Sequence, residues 1–429
     1  MRIKHLKLQN FRGFVEKDID FLERFSVIIG DNGTGKTAVL EGLAKAIGAF
    51  LLGFDGLPSR TILREDIRLR AFGLDLEPQL PCVVYAKASI AGNEEIDWWR
   101  AINRITRRTT ADTRYARRAV QVASDMQSRV RAGEPVKLPV FAFHGTGRLW
   151  TEFSESLDIE SLRSRIESGY KTALDGKSST REFRVWFRDM LYNANTLRTP
   201  EEMTLVQLLK DAITEMVPDW QSVDYDFARR DIVGIRQTDS GPELMPFSLL
   251  SDGYRNMIGM VADIAYRCIR LNPHLGADAI QEAEGVILID EIDLHLHPNW
   301  QRSVVGDLKR IFPKLQFVAT THSPFIVQSL ENAELIDLNR KEMSSPYLEK
   351  SIEEIAAGEM GVENVQRSQK WLEWMQTADR YFNLLNSGAN ILEQTELRAE
   401  LDRLEEEFAH DPAYVALLKT ERRMKEAQQ

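Results

Sequence analysis

Residues Gly30–Thr37 read GDNGTGKT and fit the spacing G-x-x-x-x-G-K-[ST]. In such a loop the backbone N–H groups of Gly30, Asp31, Asn32, Gly33, Thr34 and Gly35 can turn inward onto phosphate oxygens, helped by the partial positive charge of a helix N-terminus. Lys36 would reach the β- and γ-phosphates of a nucleoside triphosphate, and the Thr37 hydroxyl would ligate Mg²⁺. A second group follows the apolar run Val286–Ile289. There Asp290 would hold the Mg²⁺ shell and Glu291 would orient and activate an attacking water. A third is LSDGYR, Leu250–Arg255, where Ser251 and the N–H groups around Gly253 make an anion-binding helix start. The fourth is TTHS, Thr320–Ser323, whose His322 could hydrogen-bond a γ-phosphate and sense it. Each has an ordinary reading: a glycine-rich turn, a strand ending in two acids, a helix capped by Ser251, a structural histidine. Their presence together in one chain is what favours the chemical one.

The flanking patterns supply the elements these groups need. Phe25–Ile29 (FSVII) is a short strand-type apolar run, and Ala38–Leu52 carries Val39, Leu40, Leu43, Ala44 and Ile47 at helical spacing. Gly285–Asp290 is a continuous apolar strand of the buried parallel type, which places its acids at the C-terminal edge of a sheet, where ligands sit in open α/β folds. Leu315–Thr320 and Leu335–Leu338 are further strands, and Pro298–Phe312 is expected as one helix. Met1–Asn10 and Val15–Phe21 alternate as strands, as do Cys82–Ile90 and Glu95–Ile105, while Gly53–Arg60 reads as a loop. Ser154–Tyr192 and Glu201–Met216 read as helical, with Phe183, Trp186, Phe187, Met190 and Leu191 as a core stripe. Asp224–Arg236 and Leu244–Phe247 read as strands either side of a turn at Gly241–Pro242. Beyond Glu349 the pattern is helical, with Leu397, Leu401, Leu404 and Phe408 forming a narrow seam. The resulting plan has an N-terminal part of an ATPase lobe at 1–150, a helical insertion at 151–247, the C-terminal part of the lobe at 248–340 and a helical tail at 341–429.

The 429 residues, 43% apolar and 28% charged, are those of a globular protein with ample core. A net charge of −10 argues against wholesale coating of nucleic acid. The segment Arg100–Arg131 holds nine arginines against Asp112 and Asp125. Its favoured reading is a solvated surface paired with acids, because no aromatic interleaving accompanies its helix; a nucleic-acid contact is the alternative. Cys82 and Cys268 suggest neither a disulfide framework nor a zinc site. The opening MRIKHLKLQNFRGF lacks an apolar signal core, and no run is long enough to span a bilayer, so a cytoplasmic protein is expected.

The set NFRGF, GDNGTGKT, LSDGYR, VILIDEIDLHLHP and TTHSPF, in that order from Asn10 to Phe325, resembles the ABC-type ATPases of the SMC/RecF-like group. More narrowly it is similar to the stand-alone bacterial "AAA family" ATPases of antiphage systems, such as the Septu and retron-associated ATPases. The resemblance implies an α/β fold: an ABC-type P-loop ATPase domain with an antiparallel subdomain, an inserted helical lobe and a helical C-terminal tail. It implies ATP and Mg²⁺ as cofactors, with ATP hydrolysed to ADP and phosphate in a sandwich of two subunits. Gly30–Thr37, Asp290, Glu291 and His322 of one chain would face Ser251 and Gly253 of the other, and Arg12 would approach the nucleotide. The segment Asp293–Pro298 would be exchanged across the dimer, making His295 and His297 interface residues rather than metal ligands. Implied partners are a second copy, in a dimer or higher even oligomer, and a separate effector such as a nuclease, with nucleic acid left open and no membrane. The chain departs from the transporter signature LSGGQ at Asp252 and Tyr254, and His144–Arg148 is the candidate for the lid position. No D-x-D pair follows Arg340, so nucleic-acid cleavage is expected of another polypeptide. A repair clamp of RecF type is the alternative role.

Overall fold

The computed structural model describes residues 1–90, 94–105, 111–149, 164–176, 187–192, 200–217, 220–331, 333–339, 349–362, 369–387 and 391–407. It divides into two compact units, Met1–Ile355 and Ala356–Gln429.

The first unit begins with the hairpin β1 (Arg2–Phe11) and β2 (Phe14–Asp20) and continues into β3 (Phe25–Ile29), the phosphate loop and α1 (Lys36–Leu51). A second hairpin, β4 (Leu69–Phe72) and β5 (Asp75–Pro78), precedes β6 (Cys82–Ile90), β7 (Glu94–Ile102), α2 (Arg117–Arg131) and β8 (Val140–His144). After α3 (Pro200–Met216) come β9 (Trp220–Asp226), β10 (Asp231–Thr238) and β11 (Gly241–Pro246), then α4 (Asp252–Leu271). The unit is completed by β12 (Gly285–Ile289), α5 (Val304–Ile311), β13 (Leu315–Thr320) and β14 (Leu335–Asp337).

Five strands form an all-parallel sheet in the order β14-β3-β13-β12-β8. Every residue of β3, β8, β12 and β13 is buried, as expected for strands covered on both faces. Because the strands share one direction, their C-terminal ends lie on one edge. That edge gathers the phosphate loop after Ile29, the acids after Ile289 and the TTHS segment from the end of β13. A separate antiparallel sheet has the order β2-β1-β6-β7. In it β6 alternates buried and half-buried side chains along its whole length.

Helix α1 lies between the two sheets, packing on β1, β6 and β7 and on β12 and β13. It is buried along its length except at Thr37. Trp98 donates its indole N–H to the Ala46 carbonyl at 2.9 Å, which fixes α1 to the antiparallel sheet. Gln316 of β13 joins the sheets by accepting from Ile3 N at 2.8 Å and donating to Ile3 O and Leu22 O, each at 2.7 Å.

Two expected elements are divided. The strand over Asp224–Arg236 is two, β9 and β10, paired antiparallel about a turn in which Arg230 has φ +54°. The Asp226 carboxylate accepts from the backbone N–H of Ala228 (2.9 Å) and Arg229 (3.0 Å), an Asx turn that stops the strand. The helix over Pro298–Phe312 is two short ones, Pro298–Gln301 and α5, broken at Arg302–Ser303. Phe183, Trp186, Phe408 and most of Ser154–Tyr192 lie outside the described residues.

The described residues of the second unit include the helices α6 (Gln369–Ser387) and α7 (Ile391–Glu407). Trp374, Ala378, Tyr381, Leu401 and Leu404 form its core, with Trp371 and Leu397 half-buried against them.

Candidate functional site

The phosphate loop leaves β3 with three glycines in the left-handed half of backbone space, Gly30 (φ +150°), Gly33 (+87°) and Gly35 (+98°). A Cβ on Gly35 would stand 2.5 Å from the Phe14 ring, whereas one on Gly33 would meet nothing within 4 Å, so the loop is open at Gly33 and walled at its base. Asp31 is fixed at both ends: its carbonyl accepts from the Thr34 hydroxyl at 2.9 Å, and its carboxylate from Asn339 Nδ2 at 3.1 Å. Asn32 is exposed at the tip.

Lys36 folds over this loop, donating to the carbonyls of Gly30 (2.7 Å) and Asp31 (3.0 Å). These neutral acceptors occupy the place where a phosphate's oxygens would compete for it. Burial pushes the Lys36 pKa below its ordinary value, against the pull of Asp290, Asp31, Glu291 and Asp293.

Thr37 donates its hydroxyl to Asp290 Oδ2 at 2.9 Å, across 253 residues of chain. Asp290 is 3% exposed, and its other oxygen accepts from the Thr320 hydroxyl at 2.6 Å. Thr320 Oγ1 in turn accepts from the Glu291 N–H at 2.8 Å. One chain of hydrogen bonds therefore links the ends of β12 and β13 to the start of α1, and Thr320 is the residue that sequence reasoning passed over in favour of His322. The doublet Thr320–Thr321 was its visible signal: two small hydroxyls where a buried strand ends against an acid. A hydroxyl and a carboxylate oxygen 2.9 Å apart match the edge of a Mg²⁺ octahedron, about 3 Å for oxygens each about 2.1 Å from the ion. The donor set thus fits a hard divalent cation.

Glu291 has φ +50° and is half-buried. Among the described residues six non-glycine positions have positive φ, and four of them, Asn10, Arg12, Glu291 and His295, fall in the motifs read from sequence. Strain of this kind persists where surrounding structure holds it. Asp293 accepts from the Thr321 hydroxyl at 2.5 Å and from His322 N at 3.4 Å, tying the segment after Glu291 to the segment that presents the exposed His322 ring.

Ser251 stands at the N-cap of α4, yet its side chain makes no capping hydrogen bond. Gly253 is buried where a Cβ would collide with the His295 carbonyl. Asn256 donates to Leu294 O at 3.0 Å, and the Tyr254 ring lies 4.8 Å from that of Trp300. The start of α4 is therefore fastened to residues 294–300 of its own chain. Asp252 is exposed and paired with Arg255, which answers its charge. Ser251 and Gly253 make no hydrogen bond to Gly30–Thr37 among the described residues.

Arg12 follows β1 with φ +50° and directs its guanidinium to Asp66 (3.0 Å) and Glu41 (3.7 Å). Lys45 joins Glu41 at 3.2 Å and Asp66 at 3.1 Å, and Arg60 reaches Glu41 at 2.7 Å. This network borders a cavity of about 390 Å³ on the flank of α1, also lined by Lys171 and Asp175. The His144 carbonyl accepts from Asp290 N at 2.8 Å, and Gly145 N donates to Gly176 O at 2.9 Å. The side chain of Arg148 lies outside the description. His297 accepts from Asn299 N at 3.3 Å, as a helix cap.

Four of the seven described arginines of the arginine-rich segment are paired with acids. Arg114 pairs with Asp112, Arg118 with Glu94, Arg129 with Glu134 and Arg131 with Asp55. Arg100 is buried, bound to Ser59 Oγ (3.1 Å), Arg60 O (2.9 Å) and Thr61 Oγ1 (2.8 Å). Arg107 and Arg108 lie outside the described residues.

Residues 5–185 match a family described as "AAA domain", and residues 146–328 match one described as "AAA domain, putative AbiEii toxin, Type IV TA system". The chain is 26% identical to the Septu protein PtuA of Bacillus thuringiensis, over 86% of this chain and 87% of that protein. It is 22% identical to the Retron Vc95 probable ATPase of Vibrio cholerae, over 79% of this chain and 74% of that one. A match to the DNA replication and repair protein RecF of Clostridium kluyveri, 49% identical, is confined to 43 residues, 10% of this chain and 12% of that protein. Among solved structures the chain is similar to the SmcHead bound to the C-winged helix domain of ScpA, with TM-score 0.47 and 16% identity over 79% of this chain and 94% of that one. The chain is thus a homologue of the Septu and retron ATPases. No helix among the described residues is long and apolar enough to cross a membrane.

Proposed function

We propose that this homologue of the Septu and retron ATPases binds ATP and hydrolyses it to ADP and phosphate within a dimer of two copies, and thereby regulates a separate effector, such as a nuclease, in antiphage defence. The observation that carries the catalytic part is the hydrogen-bonded line Thr37–Asp290–Thr320–Glu291 at the C-terminal edge of the parallel sheet, beside Lys36. Lys36 would exchange its two carbonyl acceptors for β- and γ-phosphate oxygens, and the N–H groups of the open loop around Gly33 would take further oxygens. Thr37 and Asp290 would hold Mg²⁺, which supplies charge neutralisation to the transferring phosphoryl group. Glu291 would orient the attacking water and accept its proton. His322, exposed at the next strand end, would hydrogen-bond the γ-phosphate.

The dimer is supported by what the site lacks in one copy. Ser251 has a hydroxyl that does not cap its own helix, and among the described residues it makes no hydrogen bond to the phosphate loop of its own chain. A two-fold partner would bring its Ser251 and Gly253 to that γ-phosphate. The pairing of the arginine-rich segment with acids, and the shortness of the RecF match, favour the defence reading over a DNA-repair clamp.

The test is Glu291→Gln in the full chain. Turnover of MgATP should fall by about 10²-fold or more, while ATP binding is kept and the ATP-bound dimer accumulates in a mass measurement. Turnover equal to the parent's would remove Glu291 from the proposed role.

A further inference from the structure

The cavity beside Arg12 runs along the flank of α1 from Glu41 past Lys45 to Leu51. At a helical rise of about 1.5 Å per residue, those positions lie ~6, ~12 and ~21 Å from Thr37 along the axis. None of Gly30–Thr37, Asp290, Glu291, Thr320 or His322 lines it. Its volume of about 390 Å³ falls in the range of small-molecule sites, roughly 300–1,000 Å³.

The wall of this cavity carries more positive charge than its buried carboxylates answer. Three cations, Arg12, Lys45 and Arg60, share two carboxylates, Glu41 and Asp66. Behind the wall stands a fourth cation, Arg100, which is 4% exposed. Its hydrogen bonds go only to neutral acceptors, Ser59 Oγ, Arg60 O and Thr61 Oγ1, and its Nε has no partner among the described residues. Ser59 and Thr61 themselves line the cavity. With no carboxylate to hold it, burial lowers the Arg100 pKa to about 10. A buried charge without a counter-ion is costly, so such groups are normally paired. Four cations against two carboxylates leave an excess of two. At the rim Lys171 is joined by Glu65 and Asp175, two exposed acids whose charges water and salt screen.

Hydrogen-bond donors are in place as well. Arg12 uses only its Nε in a hydrogen bond, to Asp66 at 3.0 Å, and its Nη2 is 3.7 Å from Glu41, too far for a second. Neither of its terminal amino groups is therefore occupied among the described residues. Such a planar fork matches the oxygens of a phosphate. The remaining wall is apolar: Leu51, Leu63 and Leu174 line it with Tyr170, whose hydroxyl is bonded to Pro139 O at 2.6 Å.

We propose that this cavity binds a small molecule that carries a phosphate monoester on a compact apolar or aromatic body, with the phosphate between Arg12 and Arg60. A phosphate monoester bears about −1.5 to −2 charges at pH 7, which meets an excess of two; the single charge of a carboxylate does not. The site is independent of the nucleotide reading above, and neither requires the other.

The experiment is calorimetric titration of the full chain with phenyl phosphate, with Mg²⁺ and a slowly hydrolysed ATP analogue present in saturating amounts to fill the phosphate loop. Phenyl phosphate should bind once per chain, at least tenfold more tightly than benzoate. Arg60→Gln should weaken that binding at least tenfold. Leu63→Trp should do the same by filling the cavity, and because Leu63 is 46% exposed the fold should be kept even if Arg60→Gln is unstable. Both variants should bind the analogue as the parent does. Phenyl phosphate that binds only when the analogue is left out belongs to the phosphate loop and overturns the proposal. Benzoate bound equally well overturns it too, as does an affinity unchanged by Leu63→Trp. No saturable binding removes the site outright.

Discussion

Asp290 is held by two hydroxyls, from Thr37 at 2.9 Å and Thr320 at 2.6 Å, so its geometry is set before any cation arrives. Replacing it by Asn keeps the shape but removes the charge and sets an amide donor against a hydroxyl that must then turn. The expected result is a fall in affinity for the nucleotide of about tenfold to a hundredfold, on the order of 1.4–2.8 kcal/mol, when Mg²⁺ is present and little change in excess EDTA. Titration of a fluorescent ATP analogue in both buffers reads this, and equal losses in the two would make Asp290 a structural residue only. Thr320→Val separates positioning from binding. It leaves a buried carboxylate oxygen without its donor, a loss of about 1–3 kcal/mol in stability, and frees the Glu291 N–H. The maximal rate should drop while nucleotide affinity is nearly kept. A parallel fall in both would mean that Thr320 serves the cation site rather than Glu291. The phosphate loop and the Asp290–Glu291 pair were legible because their chemistry demands fixed spacing. Thr320 was not, because a threonine at the end of a buried strand looks the same whether or not it bonds across the sheet.

Helix α1 carries Lys36 and Thr37, proposed above to meet phosphate and cation, at one end and a charged cluster along its flank, where Glu41 and Asp66 meet Lys45, Arg12 and Arg60. Lys45 is 2% exposed and Asp66 0%, so deleting one partner strands a buried charge. Lys45→Met should cost roughly 3–5 kcal/mol, measured by urea unfolding, with nucleotide binding retained where the variant remains folded. Burial acts to raise the Glu41 pKa, but Lys45, Arg60 and Arg12 outweigh it and hold the carboxylate below its ordinary 4.5. A carboxylate depressed in the folded state contributes stability that is complete above the unfolded pKa and lost as pH falls through the folded one. Acidification below about pH 4.5 should therefore cost the parent more stability than Glu41→Gln, read as the difference between their unfolding midpoints from pH 6 to pH 3. A variant with the parent's acid sensitivity would place the effect elsewhere. This cluster was not readable in sequence, since Glu41 and Lys45 look like an exposed i, i+4 pair until the two sheets close over α1. Neither was the break between β9 and β10, where the Asp226 turn interrupts a strand pattern that hydropathy alone continues.

At the scale of the whole chain, the parallel sheet was legible because three of the motifs, the phosphate loop, Asp290–Glu291 and Thr320–Ser323, need a strand end, and strands covered on both faces announce themselves as continuous apolar runs. The β4–β5 hairpin escaped notice for the opposite reason: its alternation is short, and all its residues except Pro78 are exposed. The division at Ile355 was equally hard to place, because the helical pattern after Glu349 runs through it. Residues Ala356–Gln429 form a compact unit with its own core, in which Trp374 is 1% exposed and Tyr381 2%. The core seen among its described residues is small, and units below about 70–80 residues seldom gain more than ~3–5 kcal/mol from one. The first unit contains every residue assigned here to phosphate, cation and water. A chain ending at Gly358, the last residue of the helix that spans the division, should accordingly keep its ATP affinity and its ATP-dependent association. Its unfolding should lose the weaker, early transition reported by tryptophan fluorescence, because Trp371 and Trp374 leave with the second unit. If instead ATP binding disappears with residues 359–429, the assignment of the whole nucleotide site to the first unit is wrong.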